Sequence, residues 1–189
     1  MKILITGVGG PTPASVAVSL KRFSGFADYR LLGVDANPLA TGLYRSELFD
    51  ETAVVPPATS PDYWPAIELL VRMHNIELAL VQPEVEVVEW SRRQRDGKLP
   101  CKALLPEYDL ATLLVDKAAM SEALDESGLV PTSARLDRDL DNIGEVEEAL
   151  PYPFWIRASS GSSGLGSLLV EDRESLASWV RINTGVDSF

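Results

Sequence analysis

Apolar residues recur along this chain in two rhythms. Lys2 to Thr6, Leu31 to Val34, Thr52 to Val55, Leu78 to Val81 and Lys102 to Leu105 are short runs of strand length. Between them the apolar positions fall at helical spacing: Val16, Leu20 and Phe23, then Ile67, Leu70 and Val71 with His74 near the end, then Val85 and Val88. Thr12 stands where it can cap the first helix, with Pro13 at its first position, and Ser60 with Pro61 repeats the arrangement. Strands alternating with helices predict parallel pairing through right-handed crossovers. The expected fold over residues 1–110 is α/β, a Rossmann-like, doubly wound parallel sheet.

The rhythm changes in residues 111–189. Asp116 caps a predicted helix through Met120 and Leu124, and Gly128 is placed to end it. An extended segment and a short acidic helix, Glu145 to Leu150, follow. Phe154 to Arg157 and Ser167 to Val170 read as two strands flanking a Gly/Ser loop. Asp172 caps a last helix with Leu176, Trp179 and Val180 on one face, an apolar face expected to lack a partner within this segment. This second unit reads as the incomplete start of an α+β domain.

Composition narrows the function classes. Of 189 residues, 46% are hydrophobic and 24% charged, as in ordinary globular proteins. The formal charge of −11 leaves no basic face for nucleic acid, since the Arg92, Arg93 and Arg95 trio reads as the solvated end of a helix. No apolar run approaches a membrane span and the N-terminus lacks a signal-peptide pattern, so a cytoplasmic protein is expected. Cys101 is the sole cysteine, which excludes an internal disulfide, and it reads as a structural thiol. His74 has no metal-ligand spacing around it.

Two glycine clusters carry the candidate chemistry. Gly7, Gly9 and Gly10 form a strand-to-helix turn followed at a distance by Asp35, which invites a dinucleotide reading. The third position of that fingerprint holds Thr12, so a tight turn or a small anionic substrate at the turn is favoured over NAD(P). Gly9 and Gly10, with Glu84 from the acidic trio Glu84, Glu86 and Glu89 after Pro83, are the candidate substrate contacts; a solvated helix start explains those acids equally well. The second cluster, Ser160, Gly161, Ser162, Ser163, Gly164 and Gly166, lies between two strands, which excludes a Walker loop. A Gly/Ser hairpin can fold its N–H groups over phosphates, with Arg157 at the strand end leading in and Lys117 in the first turn of a preceding helix adding positive charge. An exposed surface hairpin is the plain alternative.

Four stretches carry a resemblance: MKILITGVGGPTPA, GVDANPLATGLYRSE, VDKAAMSEALDESGLVPTSA and PYPFWIRASSGSSGLGS. Together they resemble the N-terminal part of the ATP-grasp superfamily, in particular the group like the large chain of carbamoyl-phosphate synthase. The resemblance implies a pre-ATP-grasp domain over residues 1–110 that helps hold the non-nucleotide substrate, followed over 111–189 by part of the ATP-grasp domain. It implies that Lys117 and Arg157 contact nucleotide phosphates and that Ser160 to Gly166 form the lid. The Arg at position 157, where many members carry Lys, agrees with the carbamoyl-phosphate-synthase type. The acidic Mg²⁺ ligands and second lobe of the family would lie beyond Phe189, so a fragment, a truncation or half of a split protein all remain open.

The expectation that follows is an ATP-dependent ligase that activates a small-molecule carboxylate as an acyl phosphate and passes it to an amine, with ATP and Mg²⁺ as cofactors. No residue of this chain is expected to act as a covalent catalyst or metal ligand. An NAD(P)-binding protein and a non-catalytic ligand- or subunit-binding module stand as alternatives. A homo-oligomer, or a separate chain supplying the second lobe, are the protein partners left open.

Overall fold

The computed structural model describes residues 1–26, 28–125, 128–159 and 166–183. The chain divides into two compact units, Met1–Ala111 and Thr112–Phe189. Among the described residues it is an α/β protein with a five-stranded parallel sheet and seven α-helices.

The first unit is built on β1 (Lys2–Thr6), β2 (Arg30–Asp35), β3 (Glu51–Val54), β4 (Leu78–Leu80) and β5 (Lys102–Ala103), in the order β3-β2-β1-β4-β5. All four pairings are parallel. The central strand is buried on both faces because its side chains alternate. Ile3 and Ile5 pack with Ala17 of α1 (Pro11–Arg22) and with Leu48 and Phe49. Leu4 packs on the opposite side, with Tyr63, Ile67 and Val71 of α2 (Tyr63–His74) and Trp90 of α3 (Glu84–Arg95). The order reverses at β1, which sends the chain to β2 on one edge and receives β4 on the other.

Several local expectations shift by a residue or two. The first helix begins at Pro11 with Gly10 as its cap, so Thr12 lies inside it and makes no cap bond. A proline at the first position needs no amide partner, which lets the helix start one turn early. Its buried positions are Pro13 and Ala17, while Phe23 lies beyond the last turn and is 64% exposed. The short segment Tyr108–Val115, apolar apart from Asp109 and Thr112, forms a helix, α4, too short to establish a period in sequence. His74 ends α2, with Nδ1 3.0 Å from Glu51 Oε2.

The second unit contains α5 (Lys117–Leu124), α6 (Ile143–Ala149), β6 (Phe154–Arg157), β7 (Ser167–Val170) and α7 (Arg173–Ile182). The two strands pair antiparallel, Trp155 opposite Leu169 and Arg157 opposite Ser167. One face of this ribbon, with Ile156 and Val170, packs against Val146 of α6 and Leu176 and Val180 of α7. The apolar face of α7 therefore finds its partner inside the unit, contrary to the expectation of an exposed stripe. Asp172 caps α7 in a reciprocal box with Ser175. By contrast α5 buries none of its residues, Met120 and Leu124 included.

A close backbone approach pins the first unit. A Cβ on Gly42 would stand 2.1 Å from the Val8 carbonyl oxygen. Gly42→Ala is therefore expected to cost about 1–3 kcal/mol of unfolding free energy, the range for an overpacked core. Gly144→Ala, in α6 with nothing within 4 Å, should instead gain about 0.5–1 kcal/mol. Urea titrations of the two variants give the comparison.

Asp50 gathers Lys21 Nζ at 2.8 Å, Arg30 Nη1 at 2.7 Å and the Leu31 amide at 2.8 Å. Partial burial pushes its pKa up, but Lys21, the Leu31 amide and Arg30 outweigh this and hold the carboxyl at about 2. Its folded value lies below the ordinary 3.8, so its stabilisation is complete above that value and is lost as pH falls toward 2. The stability difference between the wild type and Asp50→Asn should be constant near neutral pH and shrink below about pH 4. Denaturant midpoints measured down the acid limb test this.

Candidate functional site

Two regions hold the residues singled out in the sequence. In the first unit, the turn after β1 lies beside the segment after β4. Gly7 has φ +68°, and a Cβ there would meet Pro83 at 2.5 Å. Its neighbours are already bonded within the chain. The Val8 amide donates to the Val34 carbonyl, the Gly10 amide donates to the Gly7 carbonyl, and the Gly9 amide donates to Asp35 Oδ2 at 2.8 Å. Asp35 Oδ1 accepts from the Asn37 amide at 2.8 Å. Both oxygens of Asp35 are therefore engaged by backbone N–H groups. Glu84, at the first position of α3, is exposed.

Glu86, two residues beyond Glu84, is only 6% exposed. Tyr63 Oη donates to Glu86 Oε2 at 2.7 Å, and Trp90 Nε1 donates to Tyr63 Oη at 2.8 Å. Thr6, also buried, bonds the same carboxyl through its side chain and accepts the Gln82 amide at 3.2 Å. Burial pushes the Glu86 carboxyl up, against the pull of Tyr63 and Thr6, and the Asp35 charge adds to the rise. Burial first, then Glu86, raises the Tyr63 phenol. Sequence gave no sign of which acid in the trio turned inward, because spacing alone does not locate the phenol and indole that satisfy it. Burial also pushes the Cys101 thiol up to about 11, in keeping with an unreactive structural cysteine.

The arginine trio is paired rather than massed. Arg92 bonds Glu89, Arg93 bonds Glu68 and covers the Trp64 ring at 4.0 Å, and Arg95 covers the Tyr108 ring at 4.1 Å.

The second unit contains a cavity of about 900 Å³. Lys117, from the first turn of α5, and Arg157, from the end of β6, both line it. Arg135, Trp155, Ser159 and Ser167 are also on its wall. Alternation along the ribbon explains the arrangement: Ile156 turns into the core while Trp155 and Arg157 turn to the other face. Trp155 is 70% exposed there, and its cross-strand partner Leu169 is 42% exposed. The wall therefore sets an apolar aromatic surface beside a guanidinium and across from an ammonium. Trp155 and Arg135 were not singled out in the sequence; strand alternation counted back from Arg157 would have found Trp155.

The stems of the Gly/Ser segment are tied. The Ala158 amide donates to the Gly166 carbonyl at 3.2 Å, and the Lys117 amide donates to the Ser159 carbonyl at 2.9 Å. Gly166 has φ +73°, a conformation that suits glycine. Ser160, Gly161, Ser162, Ser163 and Gly164 lie outside the described residues. Among the described residues no group of three or more His, Cys, Asp or Glu side chains is placed to hold a metal ion. No helix among the described residues is long and apolar enough to cross a membrane.

Removing the central hydroxyl of the buried chain tests its role. Tyr63→Phe leaves the Trp90 N–H without its acceptor and removes one of the two side-chain donors to Glu86, at a cost of about 1–3 kcal/mol for stranding buried polar groups. A denaturant midpoint equal to that of the wild type would contradict this.

No protein-family model matches the chain, and no curated protein is similar to it. Solved structures do share its fold. N5-carboxyaminoimidazole synthetase from Staphylococcus aureus, complexed with ADP, superposes with a TM-score of 0.69 at 14% identity, over 99% of this chain and 46% of that one. Biotin carboxylase from Campylobacter jejuni, in a complex with β-γ-ATP, gives 0.63 at 17% identity, over 99% and 43%. D-alanine–D-alanine ligase from Bacillus anthracis gives 0.60 at 14% identity, over 100% and 55%. At these identities the likeness is one of fold alone. The chain spans about half the length of the solved chains it matches.

Proposed function

We propose that this chain is the phosphate-holding part of an ATP-grasp ligase of the carbamoyl-phosphate-synthase-like type. The observation that carries the reading is that Lys117 and Arg157 line one cavity although they lie on different elements. Two cations on facing walls neutralise an anionic phosphate chain, and the guanidinium adds a planar, two-pronged donor. The exposed Trp155 face beside them suits an apolar, flat group such as a nucleobase. The Gly/Ser segment between β6 and β7 would cover the phosphates with its amides, as the family resemblance implies. The solved structures of this fold that hold ADP or ATP support a nucleotide as the ligand.

In the proposed reaction a carboxylate oxygen attacks the γ-phosphorus and ADP leaves, which yields an acyl phosphate. An amine then attacks the acyl carbon and expels phosphate. Lys117 and Arg157 orient the phosphates and offset the charge that develops on them; the chain needs no nucleophile of its own. Mg²⁺ would supply further charge neutralisation when bound with nucleotide, held by groups other than those described here. The Gly9, Gly10 and Glu84 region remains the proposed position for the carboxylate or amine substrate, with the exposed Gly9 and Glu84 as its most accessible parts.

The dinucleotide alternative is weaker on the same page. Pyrophosphate would need the amides of the first glycine turn, and the Val8, Gly9 and Gly10 amides are engaged within the chain. A ribose hydroxyl would need Asp35, whose oxygens accept two backbone amides.

Equilibrium dialysis of ATP and NAD against the chain and two variants separates the readings. Arg157→Ala is expected to weaken ATP binding by about 1.5–3 kcal/mol, roughly ten- to hundredfold. Asp35→Ala should leave ATP affinity unchanged. A chain that binds NAD in an Asp35-dependent manner and is indifferent to Arg157 would overturn the proposal.

A further inference from the structure

Helix α5 carries Lys117 but contributes no residue to the core of its unit. The cavity-facing residues of α5 and its end are Lys117, Ala118, Ser121, Glu122 and Asp125, polar apart from Ala118. With no fully buried apolar anchor on the helix, polar contacts weigh in its position. One is the Lys117 amide bond to the Ser159 carbonyl. Asp116 supplies another, through Oδ1, which accepts the Ala118 amide at 3.0 Å and the Ala119 amide at 3.1 Å.

Arg135 supplies the rest. Its Nη2 stands 3.7 Å from Asp116 Oδ2 and its Nε 3.9 Å from Glu122 Oε1. One guanidinium so reaches the cap of α5 and a residue in its second turn. The backbone from which it reaches is rigid. Asn142 Nδ2 donates to the Arg135 carbonyl at 2.8 Å, and Asn142 Oδ1 accepts the Asp137 amide at 2.9 Å. The intervening Leu136 is 2% exposed and belongs to the core that includes Ile156 and Val170. Arg135 is thus a fixed post joined to the core of the unit, and α5 is the element it holds.

We infer that Arg135 is a positioning residue that tethers α5 and so places the Lys117 ammonium at the cavity wall. The tether is built from ion pairs exposed to solvent, so its strength is modest and falls with salt. Loss of Arg135 leaves the core intact and loosens one helix. The link to phosphate binding rests on the nucleotide reading of Lys117; the tether itself does not.

Hydrogen–deuterium exchange of the whole chain tests the tether without any ligand. In Arg135→Ala the amides of Met120 to Leu124 should exchange about three- to tenfold faster, the range for losing two exposed ion pairs. Glu122→Gln, which removes one pair and touches no core residue, should give a smaller rise, and Arg135→Lys should restore most of the protection. Amides of β6 and β7 should be unchanged in all three. Unchanged exchange in α5, or equal acceleration across β6 and β7, would overturn the inference.

ATP affinity then separates positioning from direct contact. Arg135→Ala should weaken binding about three- to tenfold in the wild-type background and not at all in Lys117→Ala. Losses that multiply in the double variant would show that Arg135 meets the phosphates itself and would overturn the positioning role. A wild-type chain that binds no ATP counts against the nucleotide reading and leaves the exchange result to decide the tether.

Discussion

Strand β1 is paired on both edges and covered on both faces, and that constraint organises the first unit. A strand in this position has little solvent to satisfy its groups: it pairs with β2 and β4, Ile3, Leu4 and Ile5 pack against apolar neighbours, and the Lys2 amide donates to Glu77 Oε1. Where the strand ends at Thr6, the same demand continues. The turn amides go to the Val34 carbonyl, the Gly7 carbonyl and Asp35, and the Thr6 side chain goes to Glu86 and the Gln82 amide. A carboxylate at position 35 thus occupies, from within, the donor that a phosphate would otherwise attract. The buried Glu86 is kept in place by a phenol and a hydroxyl, with the indole of Trp90 holding the phenol.

The second unit solves a different problem with fewer residues. Its ribbon buries Ile156 and Val170 in the core and turns Trp155 and Arg157 to the other face by two-residue alternation, and residues of both faces line the cavity. Ile156 secures the strand while its neighbours Trp155 and Arg157 are turned outward, so the packing that stabilises the ribbon also aims its chemical groups. The opposite wall has no such support. Helix α5 hangs on a cap, a backbone hydrogen bond and the Arg135 ion pairs. Arg157 thus stands on a strand whose neighbour Ile156 is in the core, whereas Lys117 stands on a helix that buries none of its residues.

The sequence by itself determined the alternation of strands and helices, the parallel sheet, and the two strands that flank the Gly/Ser segment, because each rests on short-range periodicity or on a local turn. It also marked Lys117 and Arg157 as a pair by residue type and by family resemblance. Helix α4 escaped it, since eight residues are too few to establish a period. Only the tertiary structure decided that Lys117 and Arg157 share a cavity, that the face of α7 is covered within its own unit, and that Glu86 and not Glu84 turns inward. Likewise it alone joined Asp35 to the glycine turn and Arg135 to the cap of α5. The physical reason is the same in each case. A side chain's periodicity is written in its neighbours along the chain, but its hydrogen-bond partner lies on another element, and which partner it meets depends on how the elements pack.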